Sequence, residues 1–168
     1  MNLQKAKTIA NGICSELAPH CDRIAIGGSI RRQKAEVGDI EVVCIPVMVK
    51  VGLFGDIPEV SPEFCQLVNR WTAVKGSPKG KYTQRILPEG IKLDLFMATP
   101  DNWGLIFAIR TGSKRFSHLN LASRWVELGY KSVNGMLVRN GKRIPVKEEQ
   151  DLFDVLKIGW REPKERDL

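Results

Sequence analysis

Two neighbouring stretches, Gly27-Gly28-Ser29-Ile30-Arg31-Arg32 and Gly38-Asp39-Ile40-Glu41, carry the pattern that predicts the fold. The second continues into residues 42–45, a β-branched, apolar run typical of a buried strand. Because side chains alternate across a strand, Asp39 and Glu41 should share one face. Magnesium prefers one or two carboxylates plus phosphate oxygens, and the glycine–serine turn can hold phosphate. The pattern therefore indicates phosphoryl or nucleotidyl transfer.

Composition and charge favour a polyanionic partner. The chain has 168 residues, of which 43% are hydrophobic and 27% are charged, as in ordinary soluble globular proteins. Its formal net charge is +7, and neutralising phosphates with such charges releases condensed counterions. The simpler alternative is that the charge only confers solubility.

The chain shows no sign of a membrane segment or of a zinc site. No apolar run approaches the roughly 20 residues that span a bilayer, and residues 1–5 lack the apolar core of a signal peptide. We therefore expect a cytoplasmic location and no membrane partner. The four cysteines, at positions 14, 21, 44 and 65, form no C-x-x-C pair, which argues against a zinc site. The lack of a secretory signal favours reduced thiols.

Local patterns predict an α+β chain whose first part is rich in strands. We expect helices over residues 3–17, 62–71, 101–110, 115–128 and 148–156, and strands over 23–27, 39–45, 82–87, 91–97, 136–138 and 143–146. Residues 50–62 read as an irregular connection, and residues 75–81 as a basic loop. Asp101 and Asn102 are expected to cap the helix that follows them. The pattern changes near Pro100, which predicts domains at residues 1–100 and 101–168.

Asp94 is a third candidate carboxylate. It lies between Leu93 and Leu95 in the second strand of a predicted hairpin, where an acidic side chain is costly unless something pairs with it. A metal shared with Asp39 and Glu41 is one such partner, and a buried lysine or arginine is the alternative. Three carboxylates on adjacent strands suit two metal ions about 3.5–4 Å apart.

Together these residues resemble the nucleotidyltransferase superfamily and, within it, the family X DNA polymerases of the polymerase beta type. The family pattern is Gly-Ser-x-Arg-Arg, a short spacer, Gly-Asp-x-Asp and a distant x-Asp-x strand. It is matched by Gly28, Ser29, Arg31, Arg32, Gly38, Asp39 and Asp94. The resemblance is closest to reduced viral and phage versions. It implies a nucleotidyltransferase palm, with a mixed or antiparallel sheet and flanking helices, and a small C-terminal α/β lobe that selects the nucleotide.

The resemblance implies a DNA polymerase or nucleotidyltransferase that extends a DNA 3′-hydroxyl at gaps, nicks or ends and releases pyrophosphate. Two magnesium ions, or manganese, would be held by the catalytic residues Asp39, Glu41 and Asp94. Expected nucleotide contacts are Gly28, Ser29, Arg32, Gly38, Thr111, Gly112 and Ser113, and expected DNA contacts are Lys79, Lys81, Lys92, Lys114 and Arg115. The substrates would be primer/template DNA and a dNTP or NTP, bound by a monomer. Arg31 is either a phosphate ligand or a structural ion-pair partner.

Three positions depart from the family pattern. Glu41 replaces the usual second aspartate, and Ile109-Arg110 replaces an aromatic pair that touches the sugar and helps exclude ribonucleotides. Ser117 replaces an asparagine that reads the base edge. Two other functions remain open: a nucleotidyltransferase that modifies a tRNA end, a small molecule or a protein, and a non-catalytic DNA-end binder.

Overall fold

The fold is built on a five-stranded mixed sheet. In the computed structural model, which describes residues 1–55 and 57–168, the strands of this sheet span Cys21–Ile26 (β1), Asp39–Pro46 (β2), Thr72–Gly76 (β5), Tyr82–Ile86 (β6) and Lys92–Met97 (β7). Their order in the sheet is β1-β2-β7-β6-β5. A separate antiparallel hairpin is formed by Met48–Val51 (β3) and Ile57–Val60 (β4).

The central strand pair brings the two acidic segments together. Strand β2 runs parallel to β7 and antiparallel to β1, while β6 runs antiparallel to both β7 and β5. In the β2–β7 register Asp39 lies opposite Lys92, and Glu41 lies opposite Asp94. The prediction that the carboxylates lie on adjacent strands is confirmed.

Two helices cover one face of this sheet. Helix α1 (Leu3–Leu17) begins at Asn2, whose side chain accepts a hydrogen bond from the Lys5 N–H, and buries an apolar stripe that includes Ala6, Ala10 and Ile13. Helix α3 (Pro62–Asn69) begins at Ser61 and buries Phe64 and Val68. Both pack on the strand positions that alternate with the carboxylates: Ile40, Val42, Leu93 and Leu95.

The opposite face packs partly against a helix from the second half of the chain. Helix α4 (Trp103–Thr111) places Trp103 and Phe107 against Val43, Ile45 and Phe96 of the sheet. The short helix α2 (Gly28–Arg31) follows β1 and lies against β2. Asp39, Glu41 and Asp94 lie on the same sheet face as α4, at the end of the strands that the apolar side chains of α4 do not cover.

The rest of the chain forms a second helix–sheet cluster. Lys114–Phe116 (α5), a π-helical stretch Ser117–Ala122 and Ser123–Glu127 (α6) follow one another, as the predicted helix over 115–128 requires. Lys131–Val133 (β8), Met136–Arg139 (β9) and Lys142–Ile144 (β10) form a three-stranded antiparallel sheet, and Glu149–Leu156 is helix α7. Helices α4 and α7 contribute Leu105, Ala108, Leu152, Phe153 and Leu156 to the core of this part.

Four predictions about local structure were wrong. Residues 50–62 are not irregular, since they contain most of the β3–β4 hairpin; position 56 lies outside the described residues. The basic loop is shorter than expected, because residues 75 and 76 belong to β5. Strands β5 and β8 were missed. Asn102 does not cap α4: its Oδ1 accepts from the Thr99 N–H and its Nδ2 donates to the Gly135 carbonyl.

The α+β fold class, with a mixed sheet and flanking helices, is confirmed. Within the described residues, no helix combines the length and the hydropathy that crossing a membrane requires.

Candidate active site

Three carboxylates share the polar end of one sheet face. Asp39 and Glu41, two residues apart on β2, are partly buried, and Asp94 on β7 is 8% exposed. Their common face follows from strand alternation, because the intervening Ile40 is fully buried on the helix-covered side.

Burial, assisted by the neighbouring negative charges, raises the pKa values of Asp39 and Glu41. Burial raises the pKa of Glu41 to about 7, the negative charges of Asp39 and Asp94 add to this, and the cations Arg32 and Arg110 oppose it. Burial also raises the pKa of Asp39, with Asp94 as the next cause. Closely spaced carboxylates disfavour joint ionisation. The site therefore concentrates negative charge that a bound cation would stabilise.

Gly28 approaches one of these carboxylates so closely that only glycine fits. Its φ is +58°, and a Cβ built at this position would lie 2.0 Å from Glu41 Oε2. The backbone is also fixed here, since the Gly27 N–H donates to the Glu41 carbonyl at 2.8 Å. The glycine turn and the carboxylate strand thus form one unit.

A cavity of about 510 Å³ opens beside Asp39 and Glu41. Its lining includes Arg32, Arg110 and Ser113. Three buried polar atoms in this region, Ser29 Oγ, Arg32 Nε and Arg110 Nε, lack a hydrogen-bond partner among the described residues. Buried polar atoms are normally satisfied, so these suit a polar ligand.

The two arginines of the motif have different surroundings. Arg31 donates two hydrogen bonds to Glu149, at 2.8 and 2.6 Å, and one to Thr111 Oγ1, which is the structural ion pair that was one of its two expected roles. Arg32 donates to the Thr111 carbonyl at 2.7 Å. Its Nε lies 3.2 Å from Asp167 Oδ1, an ion pair that lacks hydrogen-bond geometry. Arg32 therefore lines the cavity, and its Nε–H remains able to donate a hydrogen bond to a ligand.

The expected nucleotide-contacting turn is tied to the same network. Thr111 is fully buried and its side chain faces Arg31, so it does not line the cavity. Gly112 and Ser113 do line it, and a Cβ on Gly112 would lie 2.7 Å from the Phe116 ring. The Ser113 hydroxyl accepts from the Phe116 N–H and from the Leu168 N–H. Gly38 is exposed just before β2.

Asp94 is held by the neighbouring strand rather than by a lysine or arginine. Tyr82 Oη and Gln84 Nε2 both donate to Asp94 Oδ1, the latter at 2.7 Å. Burial, followed by this bond to Asp94, raises the pKa of Tyr82.

The three carboxylates fit a divalent cation in donor chemistry and in strand position. Asp39 and Glu41 share a strand face, and Asp94 is the register partner of Glu41. Carboxylate oxygens are the ligands that magnesium prefers. In the present side-chain conformations, no three His, Cys, Asp or Glu residues of the described part of the chain are grouped to hold a metal ion.

The five expected DNA contacts are all exposed: Lys79, Lys81, Lys92, Lys114 and Arg115. Lys114 also lines the cavity, and Lys92 is the register partner of Asp39. Lys79 pairs with Glu59 at 3.4 Å, and Lys81 donates to Asn134 Oδ1 at 3.3 Å. Both lysine contacts join the 77–81 loop to other hairpins.

Sequence reasoning missed four residues of the site region. Arg110 was noted only as a departure from an aromatic pair, yet its guanidinium lies 4.0 Å from the Phe96 ring centroid and faces the cavity. Asp167 gave no local signal, because its partner Arg32 lies in a distant part of the chain. For Tyr82 and Gln84 the predicted hairpin of residues 82–87 and 91–97 contained a signal, because its register places Gln84 opposite Asp94.

Comparisons with known proteins agree with this architecture. Residues 107–167 match the family model of the DNA polymerase beta thumb. The polymerase beta of Leishmania infantum, solved as a ternary P/T complex, superposes with a TM-score of 0.71 and 20% sequence identity, covering 100% of this chain and 77% of that one. No curated protein matches the chain.

The chain therefore has a polymerase beta-like fold, and residues 107–167 match the thumb of that polymerase in sequence as well. Both findings support the resemblance to family X polymerases that the motif at residues 28–39 indicates.

Proposed function

We propose that the chain is a nucleotidyltransferase that adds nucleotides to a DNA 3′-hydroxyl at gaps, nicks or ends. The observation that carries this is the placement of Asp39, Glu41 and Asp94 in register on one sheet face, beside a cavity lined by Arg32 and Arg110. A site with three carboxylates and adjacent guanidinium groups suits a metal-bound triphosphate.

In this proposal hydrogen-bond donors of the site bind the triphosphate, and the carboxylates bind the metal ions. Ser29 Oγ and Arg32 Nε, both buried without a hydrogen bond, would donate to the β- and γ-phosphates, as would the Gly38 N–H. Asp39, Glu41 and Asp94 would hold two magnesium ions, or manganese, which when bound neutralise the triphosphate and lower the pKa of the attacking hydroxyl. Asp94 would accept the proton of that 3′-hydroxyl. Catalysis then consists mainly of positioning and charge neutralisation.

The nucleic-acid acceptor is supported by charge and by likeness of fold. The Leishmania infantum protein was solved as a ternary P/T complex, and the present chain has a net charge of +7. We propose that the exposed basic residues Lys79, Lys81, Lys92, Lys114 and Arg115 contact phosphates of the DNA backbone. Residues 1–100 would act as the palm and residues 101–168 as the nucleotide-selecting lobe.

Discrimination between sugars should be weak. Ile109 and Arg110 both line the cavity, and neither is aromatic. A guanidinium can donate to a hydroxyl, whereas a flat ring in the same place would exclude it by contact. We expect ribonucleotides to be incorporated within about tenfold of the rate for deoxyribonucleotides, a difference of ~1.4 kcal/mol.

The test measures nucleotide transfer for every combination of acceptor and nucleotide. The wild-type chain and Asp94→Asn are incubated with magnesium or manganese, with each dNTP or NTP, and with single-stranded, primed or one-nucleotide-gapped DNA. Templated extension supports a polymerase, and untemplated tailing supports a terminal transferase. Transfer to RNA, a small molecule or protein, with none to any DNA, would replace the proposal by the alternative acceptor. DNA binding without any transfer would indicate a non-catalytic end binder.

A further inference from the structure

The carboxylate of Asp94 accepts hydrogen bonds from two side chains of strand β6. Gln84 is its direct partner in the antiparallel β6–β7 register, and Tyr82, which pairs with Phe96, is its diagonal neighbour on the same face. Directly opposite and diagonal side chains of an antiparallel pair are within reach of each other. The two hydrogen bonds from Tyr82 Oη and Gln84 Nε2 are therefore a consequence of strand register.

The tyrosine that makes one of these bonds is itself fixed. Its ring stacks on Phe96 with centroids 4.9 Å apart and planes at 26°, and Lys75 Nζ lies 5.3 Å from its centroid. Phe96 in turn carries the guanidinium of Arg110, 4.0 Å from its centroid. Stacked aromatic rings and cation–π contacts restrict the orientation of the ring. The Tyr82 ring is therefore held in one orientation, in which its hydroxyl donates to Asp94.

Both donors bind the same carboxylate oxygen. Tyr82 and Gln84 reach Oδ1, while Oδ2 accepts no hydrogen bond from the described residues. The terminal torsion of an aspartate is broad, so an unheld carboxylate samples a wide range of orientations. Two donors on one oxygen fix the plane of the group and leave the second oxygen available.

We propose that Tyr82 and Gln84 are positioning residues, which hold Asp94 Oδ1 so that Oδ2 faces the reacting 3′-hydroxyl. The inference rests on the proposed function, in which Asp94 accepts a proton. In that step the hydroxyl proton passes to Oδ2, the hydroxyl oxygen bonds to the α-phosphorus, and the bond from that phosphorus to pyrophosphate breaks. Neither Tyr82 nor Gln84 exchanges a proton with the substrate.

Removal of each donor with its shape retained provides the test. Tyr82→Phe keeps the stacked ring, and Gln84→Leu keeps most of the side-chain volume. We expect each to lower kcat by about tenfold and the double variant by about a hundredfold, with the KM for nucleotide within about twofold, because the lost contact orients the transition state rather than the substrate.

The chain contains a matched control for each variant. Tyr130→Phe alters the other tyrosine, which lies against Arg139 in the second half of the chain. Gln150→Leu removes another glutamine-to-aspartate bond, from Gln150 to Asp154 on the exposed side of α7. Both controls should keep the wild-type kcat.

The outcomes separate the positioning role from the proposed function. If Asp94→Asn abolishes transfer while Tyr82→Phe and Gln84→Leu retain the wild-type kcat, the positioning role is refuted and the function stands. If kcat, KM, DNA affinity and melting temperature all shift together, the two residues are merely structural, which also refutes it. If Asp94→Asn itself transfers nucleotides normally, the proposed function fails.

Discussion

The two faces of the central sheet differ sharply although the same strands build both. The closed face is the one covered by α1 and α3, where Ile40, Val42, Leu93 and Leu95 are fully buried. The open face is the opposite one, where alternate positions of the same strands place Asp39, Glu41 and Asp94 near the cavity and near donors that lack a hydrogen-bond partner. Residues one position apart thus face the packed core on one side and the candidate site on the other.

The packing of the closed face allows the open face to hold crowded charges. Partly buried carboxylates lie close together there, and burial and mutual repulsion raise the pKa values of Asp39 and Glu41. Such crowding of like charges is costly and persists only where the surrounding structure holds the groups in place. Changes on the closed face should therefore affect unfolding, and changes on the open face should affect turnover.

The largest effect on stability is expected from the closed face. Leu93→Ala removes a fully buried side chain next to Asp94 and should lower the free energy of unfolding by about 2–5 kcal/mol. Urea denaturation measures this, and turnover per folded molecule should persist. Leu53→Ala, at a position 93% exposed, is the matched control and should change stability by less than about 0.5 kcal/mol. Equal effects of the two changes would contradict the assignment of the faces.

A second prediction concerns the ion network behind the open face. Glu149 is buried and binds both Arg31 and the fully buried Arg166. Glu149→Gln leaves these cations without their carboxylate and should cost about 3 kcal/mol of unfolding free energy. Glu148→Gln, which breaks only the exposed pair with Arg23, should cost less than about 1 kcal/mol. A small loss at Glu149 would mean that the network does not hold α2 to α7.

A third prediction concerns Gly28, where the open face is most crowded. Gly28→Ala introduces a Cβ 2.0 Å from Glu41 Oε2 at a positive φ, so kcat/KM should fall by about tenfold or more, with a stability loss of about 1–3 kcal/mol. Gly12→Ala is the opposite case, because its Cβ would meet nothing within 4 Å in α1. That change should stabilise by about 0.5–1 kcal/mol without altering kinetics. Normal kinetics in Gly28→Ala would show that the close approach is not needed.

The smallest effect is expected at the exposed loop. Lys79→Ala combined with Lys81→Ala should reduce the slope of log K against log salt for DNA binding by about two, if each lysine contacts one phosphate. Fluorescence anisotropy across a salt series measures it. Lys142→Ala combined with Lys147→Ala, which removes two exposed lysines elsewhere, should leave the slope unchanged. An unaltered slope in the loop variant would remove that loop from the DNA interface.

Much of the fold could be predicted because its signals are local. The helical spacing over residues 3–17 coincides with α1, and the alternation around Asp39 correctly predicted a strand with Asp39 and Glu41 on one face. The β3–β4 hairpin was missed because glycines and Pro58 interrupt its alternation. A proline is tolerated there because the hairpin has only two strands, both of them edges.

The supporting contacts of the site could not be predicted, because they are long-range. Arg31 and Glu149 are 118 positions apart. Ser113 and Leu168, 55 positions apart, meet where the C-terminal residues return to the turn after α4. Local periodicity contains no information about such pairs, whereas the motif at residues 28–41 is compact in sequence.

The central claim is that the open face performs nucleotidyl transfer through its carboxylates. The most direct measurement is the single-turnover rate of nucleotide addition to gapped DNA by Asp94→Asn, with DNA affinity and melting temperature measured on the same sample. We predict a rate lowered by at least about a thousandfold, corresponding to ~4 kcal/mol, with both other quantities unchanged. A rate within a few fold of the wild-type chain would contradict the account.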